Sequence, residues 1–148
     1  MSSSYKYRQG LGSTGAYQVS GRPYITGSVV QPAPGNGSEE VHIRFPNVVK
    51  SMTFACTGAA GTACRFHFDS IKDSDNVGTA HGPGTHFVAV YATTADVNHA
   101  QTVHGKFTDL FVSNTSGTQT GFVLYAEMTS IPASEMFELT GSGINEGP

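Results

Sequence analysis

The chain has 148 residues, of which 13% are charged, and a formal net charge of −3 at pH 7. That charged share is about half the usual globular figure, and no Lys/Arg cluster exists beyond the YKYR segment, so nucleic-acid binding as a main activity is disfavoured. No apolar run approaches the roughly 20 residues of a membrane-spanning helix, and no basic segment followed by an apolar one marks a signal peptide, so the sequence predicts a protein that works without crossing or entering a membrane.

In chain order, residues 1–37 come first and stand apart. They carry Lys6, Arg8 and Arg22 with no Asp or Glu, a formal charge of +3, whereas the remainder has five Lys/Arg against eleven Asp/Glu and stands at −6. Rich in Gly and Ser and poor in aliphatic mass, this stretch predicts an extended N-terminal arm that orders by lying on something else. The boundary is QPAPGNG, residues 31–37, where Pro and Gly oppose both helix and central strand. Residues 38–140 then form one domain, and residues 141–148 are a Gly-rich C-terminal tail.

Within the domain, Val41, Ile43 and Phe45 alternate with His42 and Arg44, predicting a half-buried strand that ends at Pro46. Val48 to Cys56 is a second strand, and Cys64, Phe66 and Phe68 alternate with Arg65 and His67 in a third. Thr85 to Tyr91 is apolar on both faces, which predicts a central position. Lys106 to Val112 and Phe122 to Met128 follow as strong strands, while Gln101 to Val103 and Met136 to Leu139 are shorter runs expected to pair at an edge. The longest loop runs from Ser70 to Gly84. Frequent Gly, scarce Leu, common Thr and Val, and the absence of a helical period together predict an all-β fold. About eight short strands make it a single β-sandwich, jelly-roll-like.

Candidate chemistry is sparse. Asp69, Asp73, Asp75 and Asn76 supply oxygen ligands of the kind a hard cation such as Ca²⁺ takes, but they lack EF-hand spacing and a closing Glu, so a solvated turn is the default. The histidines, His42, His67, His81, His86, His99 and His104, show no zinc-type spacing. Cys56 and Cys64 flank a possible hairpin loop; one bridge is conceivable, and two free, partly buried thiols are favoured without a secretion signal. No nucleophile elbow, phosphate loop or HExxH is present, so the reading is non-enzymatic and without cofactor.

The arm has the better physical case. Tyr5, Tyr7, Tyr17 and Tyr24 can bury a ring while the hydroxyl finds a partner, and Arg8 and Arg22 can make bidentate or stacked contacts. These are residue types enriched at interface hot spots. Two placements are open: an added strand on a neighbouring subunit, which is preferred, or an edge strand on the chain's own sheet.

GLGSTGAYQVSGRPYITGS, EVHIRFPNVVKSMTF, KFTDLFVSN and FVLYAEMTSIP, taken in order, resemble small virion structural proteins of tailed bacteriophages. The resemblance implies a capsid decoration or cement protein, a homo-oligomer (a trimer among the possibilities) whose partner is the major capsid protein or another virion protein. It also implies location in the virion after synthesis in the host cytoplasm. A tail, collar or fibre subunit is the alternative of the same class. A lectin-like domain binding glycans through Tyr91, His81 and Asp73 is the alternative of another class.

Overall fold

Where side chains alternate between apolar and polar, one face of an extended segment can be buried and the other left wet, and this chain folds accordingly. The computed structural model describes residues 21–30, 40–68, 87–92, 100–114, 118–137, 139–140 and 143–144. Its elements are β1 (Arg22–Val30), β2 (Glu40–Cys56), β3 (Ala63–His67), β4 (Val88–Tyr91), β5 (Ala100–Ser113), β6 (Thr120–Pro132), a 3-10 turn at Ala133–Glu135, β7 (Leu139–Thr140) and β8 (Gly143–Ile144). The described residues are thus all-β apart from that single turn. The first six strands make one open sheet in the order β1-β6-β2-β5-β3-β4, every pairing antiparallel, and β7 pairs with β8 as a separate small hairpin.

The sheet is organised by β2. In its first half Ile43 and Phe45 are buried while His42 and Arg44 are exposed; in its second half Met52, Phe54 and Cys56 are buried. Odd positions give way to even ones, which requires an irregular step in the ladder. That step lies between Arg44 and Ser51, where pairing with both β5 and β6 shifts register. Pro46 sits there, exposed. The sequence expects Pro46 to end a strand. Because the ladder is already interrupted, the missing N–H costs no pairing and the strand bends and continues. β5 makes the matching change, burying Phe107 before the irregularity and Leu110 and Val112 after it. At the bend, Val48 and Ile131 form a small second core with Met136. The Thr129 hydroxyl donates to the Val48 carbonyl at 2.8 Å and accepts from the Ile131 N–H at 3.2 Å.

The main core shows what the bend achieves. Phe54 of β2 stacks on Phe122 of β6 at 5.3 Å and also meets Phe66 of β3 at 5.3 Å, although β5 lies between β2 and β3 in the sheet. Tyr24 of β1 packs edge-on against Phe45 at 5.1 Å, Phe45 meets Phe107, and Phe107 meets Phe68. Contacts between strands that are not neighbours mean that the open sheet curls toward its buried face. Each fully buried Phe contributes about 1.5–3 kcal/mol from leaving water.

Two sequence expectations are corrected here. The expected central position of Thr85 to Tyr91 is not what its described part shows: Val88–Tyr91 forms β4, the terminal strand among the described residues, with Val88 and Tyr91 exposed. Its second apolar face is explained locally, since the Arg65 guanidinium lies 4.1 Å over the Phe87 ring. Among the described residues, Gln101 to Val103 are not a separate edge run but extend β5 and pair with β2, while Leu139 pairs with Ile144. Among the described residues no helix is long and apolar enough to cross a membrane.

Candidate functional site

The outer face of β1 and β6 gathers several large apolar side chains that are exposed among the described residues. Ile25 of β1 lies opposite Tyr125 of β6 and Gly27 opposite Val123, while Thr53 and Ala55 of β2 flank the same β6 positions from the other side. The strand period that sends Phe122, Leu124 and Ala126 inward necessarily sends Val123 and Tyr125 outward. Ile25 is 74% exposed, Val29 51%, Val123 48% and Tyr125 40%. Lys50 and Glu127, 3.5 Å apart, lie at the margin, and the Ser51 hydroxyl donates to the same carboxylate. β1 fits closely against β6: a Cβ on Gly27 would stand 2.8 Å from the Phe122 carbonyl oxygen.

β1 is also a terminal strand, with no partner on its far side among the described residues. Edge strands are usually blunted by charge, Pro or bulges. Here Arg22 and Pro23 lie at one end, and from Tyr24 to Val30 no residue is charged.

The sequence-derived interface residues divide at this point. Arg22 is exposed at the start of β1, opposite Met128, and Tyr24 turns inward onto Phe45 of its own chain. Tyr5, Tyr7, Arg8 and Tyr17 lie outside the described residues, as do Asp69, Asp73, Asp75, His81, His86 and His99. Among the described residues no group of three or more His, Cys, Asp or Glu is placed to hold a metal ion. The apolar outer residues themselves were not singled out by sequence. The available signal was that FVLYAEM is apolar at both parities, so a strand there cannot hide all of it.

At the other end of the sheet, three rings line up across β2, β5 and β3. His42 stacks on Phe111 at 4.1 Å and 18°, and His67 lies parallel to Phe111 at 6.0 Å. They occupy directly paired register positions. The His42 Nε2–H donates to Asp109 Oδ1 at 2.7 Å, and the Thr108 hydroxyl donates to the other carboxylate oxygen at 2.9 Å. Beside them a groove of about 490 Å³ is lined by Arg44, Phe45, Phe68 and Phe137, among others.

His67 has the composition of a catalytic triad around it but not its geometry. Ser113 Oγ is 3.0 Å and Glu40 Oε2 4.0 Å from the same nitrogen, Nε2. A relay needs the acid on one ring nitrogen and the nucleophile on the other. Ser113 is also buried, so this is an internal polar cluster.

Cys56 and Cys64 are free thiols, both buried on the inward face. Their sulfurs are 3.8 Å apart, and the Thr120 hydroxyl lies 3.3 Å from Cys56 Sγ and 3.1 Å from the Thr62 hydroxyl. Cys64 Sγ donates to the Gly121 carbonyl at 3.4 Å. Burial pushes the Cys64 thiol up to about 12, helped by the neighbouring Cys56. For Cys56 burial is the largest single influence and acts upward. It is outweighed by hydrogen bonds from Thr120, the Gly58 backbone and Cys64, which together leave this thiol below its ordinary value.

No protein-family model and no curated protein matches the chain. Among solved structures it is similar to CapF, crystallised with the inhibitor 3-isopropenyl-tropolone, at 14% identity and a TM-score of 0.38 over 78% of this chain. It spans only 27% of the CapF chain. It is also similar to a chain of Bacillus endospore appendages, described as disulfide-linked pili, at 11% identity and a TM-score of 0.28, covering 74% of this chain and 91% of that one. Likenesses at this level assign neither a family nor an activity.

Proposed function

We propose that this protein is a non-enzymatic structural subunit that assembles through the outer face of β1 and β6. The observation that carries the reading is the exposed apolar set Ile25, Val29, Val123 and Tyr125, spread over β6 and a strand, β1, that is terminal among the described residues and uncharged from Tyr24 to Val30. Apolar area of this kind marks an interaction site, and the β1 edge, unpaired among the described residues, adds backbone donors and acceptors to it. The resemblance to phage virion proteins supplies the particular assembly: a capsid decoration protein that contacts the major capsid protein and further copies of itself. A tail, collar or fibre subunit would use the same face in a ring.

The curled sheet fits this role as the sandwich expected from sequence. In this reading the bends in β2 and β5 fold the single sheet toward two layers, β1-β6-β2 against β5-β3-β4, over the phenylalanine core. A rigid body of this kind presents the β1/β6 face without rearrangement.

The test is sedimentation velocity and co-sedimentation with purified virions, using the full chain and an Ile25→Lys/Val123→Lys variant. The wild type is expected to associate and the variant to remain monomeric and unbound with an unchanged circular-dichroism spectrum. A wild-type chain that is monomeric at high concentration and fails to bind particles overturns the proposal.

A further inference from the structure

The Cys56–Cys64 pair plays no part in the assembly reading, yet its surroundings are unusually specific. The two residues come from β2 and β3, strands separated by β5 in the sheet but joined directly by the turn of residues 57–62. The turn joining them is anchored on both sides. The Thr57 N–H donates to the Gly121 carbonyl at 2.7 Å; the Gly61 N–H donates to the Ala92 carbonyl at 3.0 Å, and the Ala92 N–H to the Thr62 carbonyl at 2.9 Å. Gly61 has φ +85°, a conformation that favours glycine, and a Cβ on Gly58 would stand against the Thr120 and Thr62 hydroxyls. The sulfurs are therefore held in contact by backbone pairing at both ends of a short loop.

We propose that Cys56 and Cys64 form a peroxide-driven dithiol–disulfide switch that staples β2 to β3 across the core. Closing the bond requires the 3.8 Å sulfur contact to shorten to about 2.04 Å. The Cys56 thiolate attacks one peroxide oxygen, the O–O bond breaks, and hydroxide leaves; Cys56 becomes a sulfenic acid. The Cys64 sulfur then attacks the Cys56 sulfur, the S–O bond breaks, and the departing hydroxide takes the Cys64 proton as water. Overall, two thiols and one hydrogen peroxide give one disulfide and two waters.

The order of attack follows from the surroundings. Thr120 and the Gly58 backbone stabilise negative charge on Cys56, which makes it the attacking thiol, and Cys64, 3.8 Å away, is the resolving partner that gives up its proton to the departing hydroxide as the S–S bond forms. Both sulfurs are covered, and peroxide reaches them through local opening of the turn, where Ala59, Ala60 and Gly61 are exposed and contribute little packing.

The experiment uses the full chain, reduced and then exposed to hydrogen peroxide, with denaturing alkylation and intact mass spectrometry. The expected product is a monomer lighter by two hydrogens that takes up no alkylating agent until reduced, with an unfolding midpoint raised by about 5–10 °C. In Cys64→Ser, a sulfenic-acid trap is expected to label Cys56; in Cys56→Ser, Cys64 is expected to remain unlabelled. Two alkylatable thiols after treatment, disulfide-linked dimers, or preferential trapping at Cys64 would each overturn the proposal. The wild-type measurement decides even if a variant fails to fold.

Discussion

Phe54 and Phe66 touch across the inward face at a centroid separation of 5.3 Å while their strands are separated in the sheet by β5. This contact reports the curl of the sheet toward its buried face. Phe54→Ala is expected to destabilise the fold by about 3–5 kcal/mol, and a double-mutant cycle with Phe66→Leu to give a coupling of about 0.5–1.5 kcal/mol. Urea unfolding of the four proteins checks both values. Strict additivity would mean that the two rings are energetically independent and the curl is not held here.

The bend in β2 is held by a side chain. Thr129 caps both the Val48 carbonyl and the Ile131 N–H, and the site is buried. Thr129→Val keeps the shape and removes both hydrogen bonds, so it should cost about 1–3 kcal/mol. Thr129→Ser, which keeps the hydroxyl, should recover most of that loss in the same unfolding assay.

Alkaline stability follows from Cys64. Its folded-state value is raised from 9.0 to about 12, so between those values the unfolded chain has released a proton that the folded chain still holds. Stability is therefore present below pH 9 and lost as pH rises toward 12. Cys64→Ala is expected to flatten that alkaline decline, and chemical unfolding at a series of pH values under reducing conditions measures it. An unchanged slope in the variant would assign the decline to other groups.

Thr120 links the switch to the fold. Its hydroxyl bridges Cys56 and Thr62, and Thr120→Val removes the bridge at nearly constant volume. Cys56 should then lose part of the stabilisation of its thiolate, and its alkylation rate at neutral pH should fall several-fold, with stability lowered by about 1 kcal/mol. Thr62 keeps its bond to the Ala59 carbonyl, so the turn itself should remain.

The all-β class, the inward set and most strand positions were legible in the sequence, because a period of two in Cys64–Phe66–Phe68 or Val41–Ile43–Phe45 has only one structural meaning. The continuity of β2 through Pro46 was not, since a proline terminates or bends a strand according to whether the ladder there is already broken. The edge position of β4 was equally hidden: a segment apolar on both faces reads as central until a cation is seen covering one ring. The exposed face of β1 and β6 was half-visible in FVLYAEM, but only the strand order makes Val123 and Tyr125 neighbours of Ile25.

What the sequence alone determined is a set of amphipathic strands and two cysteines eight residues apart, because alternation and spacing are local properties of the chain. What only the tertiary structure decided is which of these meet. The curl of the sheet brings Phe54 to Phe66, an anchored turn holds Cys56 against Cys64, and strand order leaves Ile25 beside Tyr125 in water. Curvature depends on ladder irregularities shared among several strands, and no single segment encodes it.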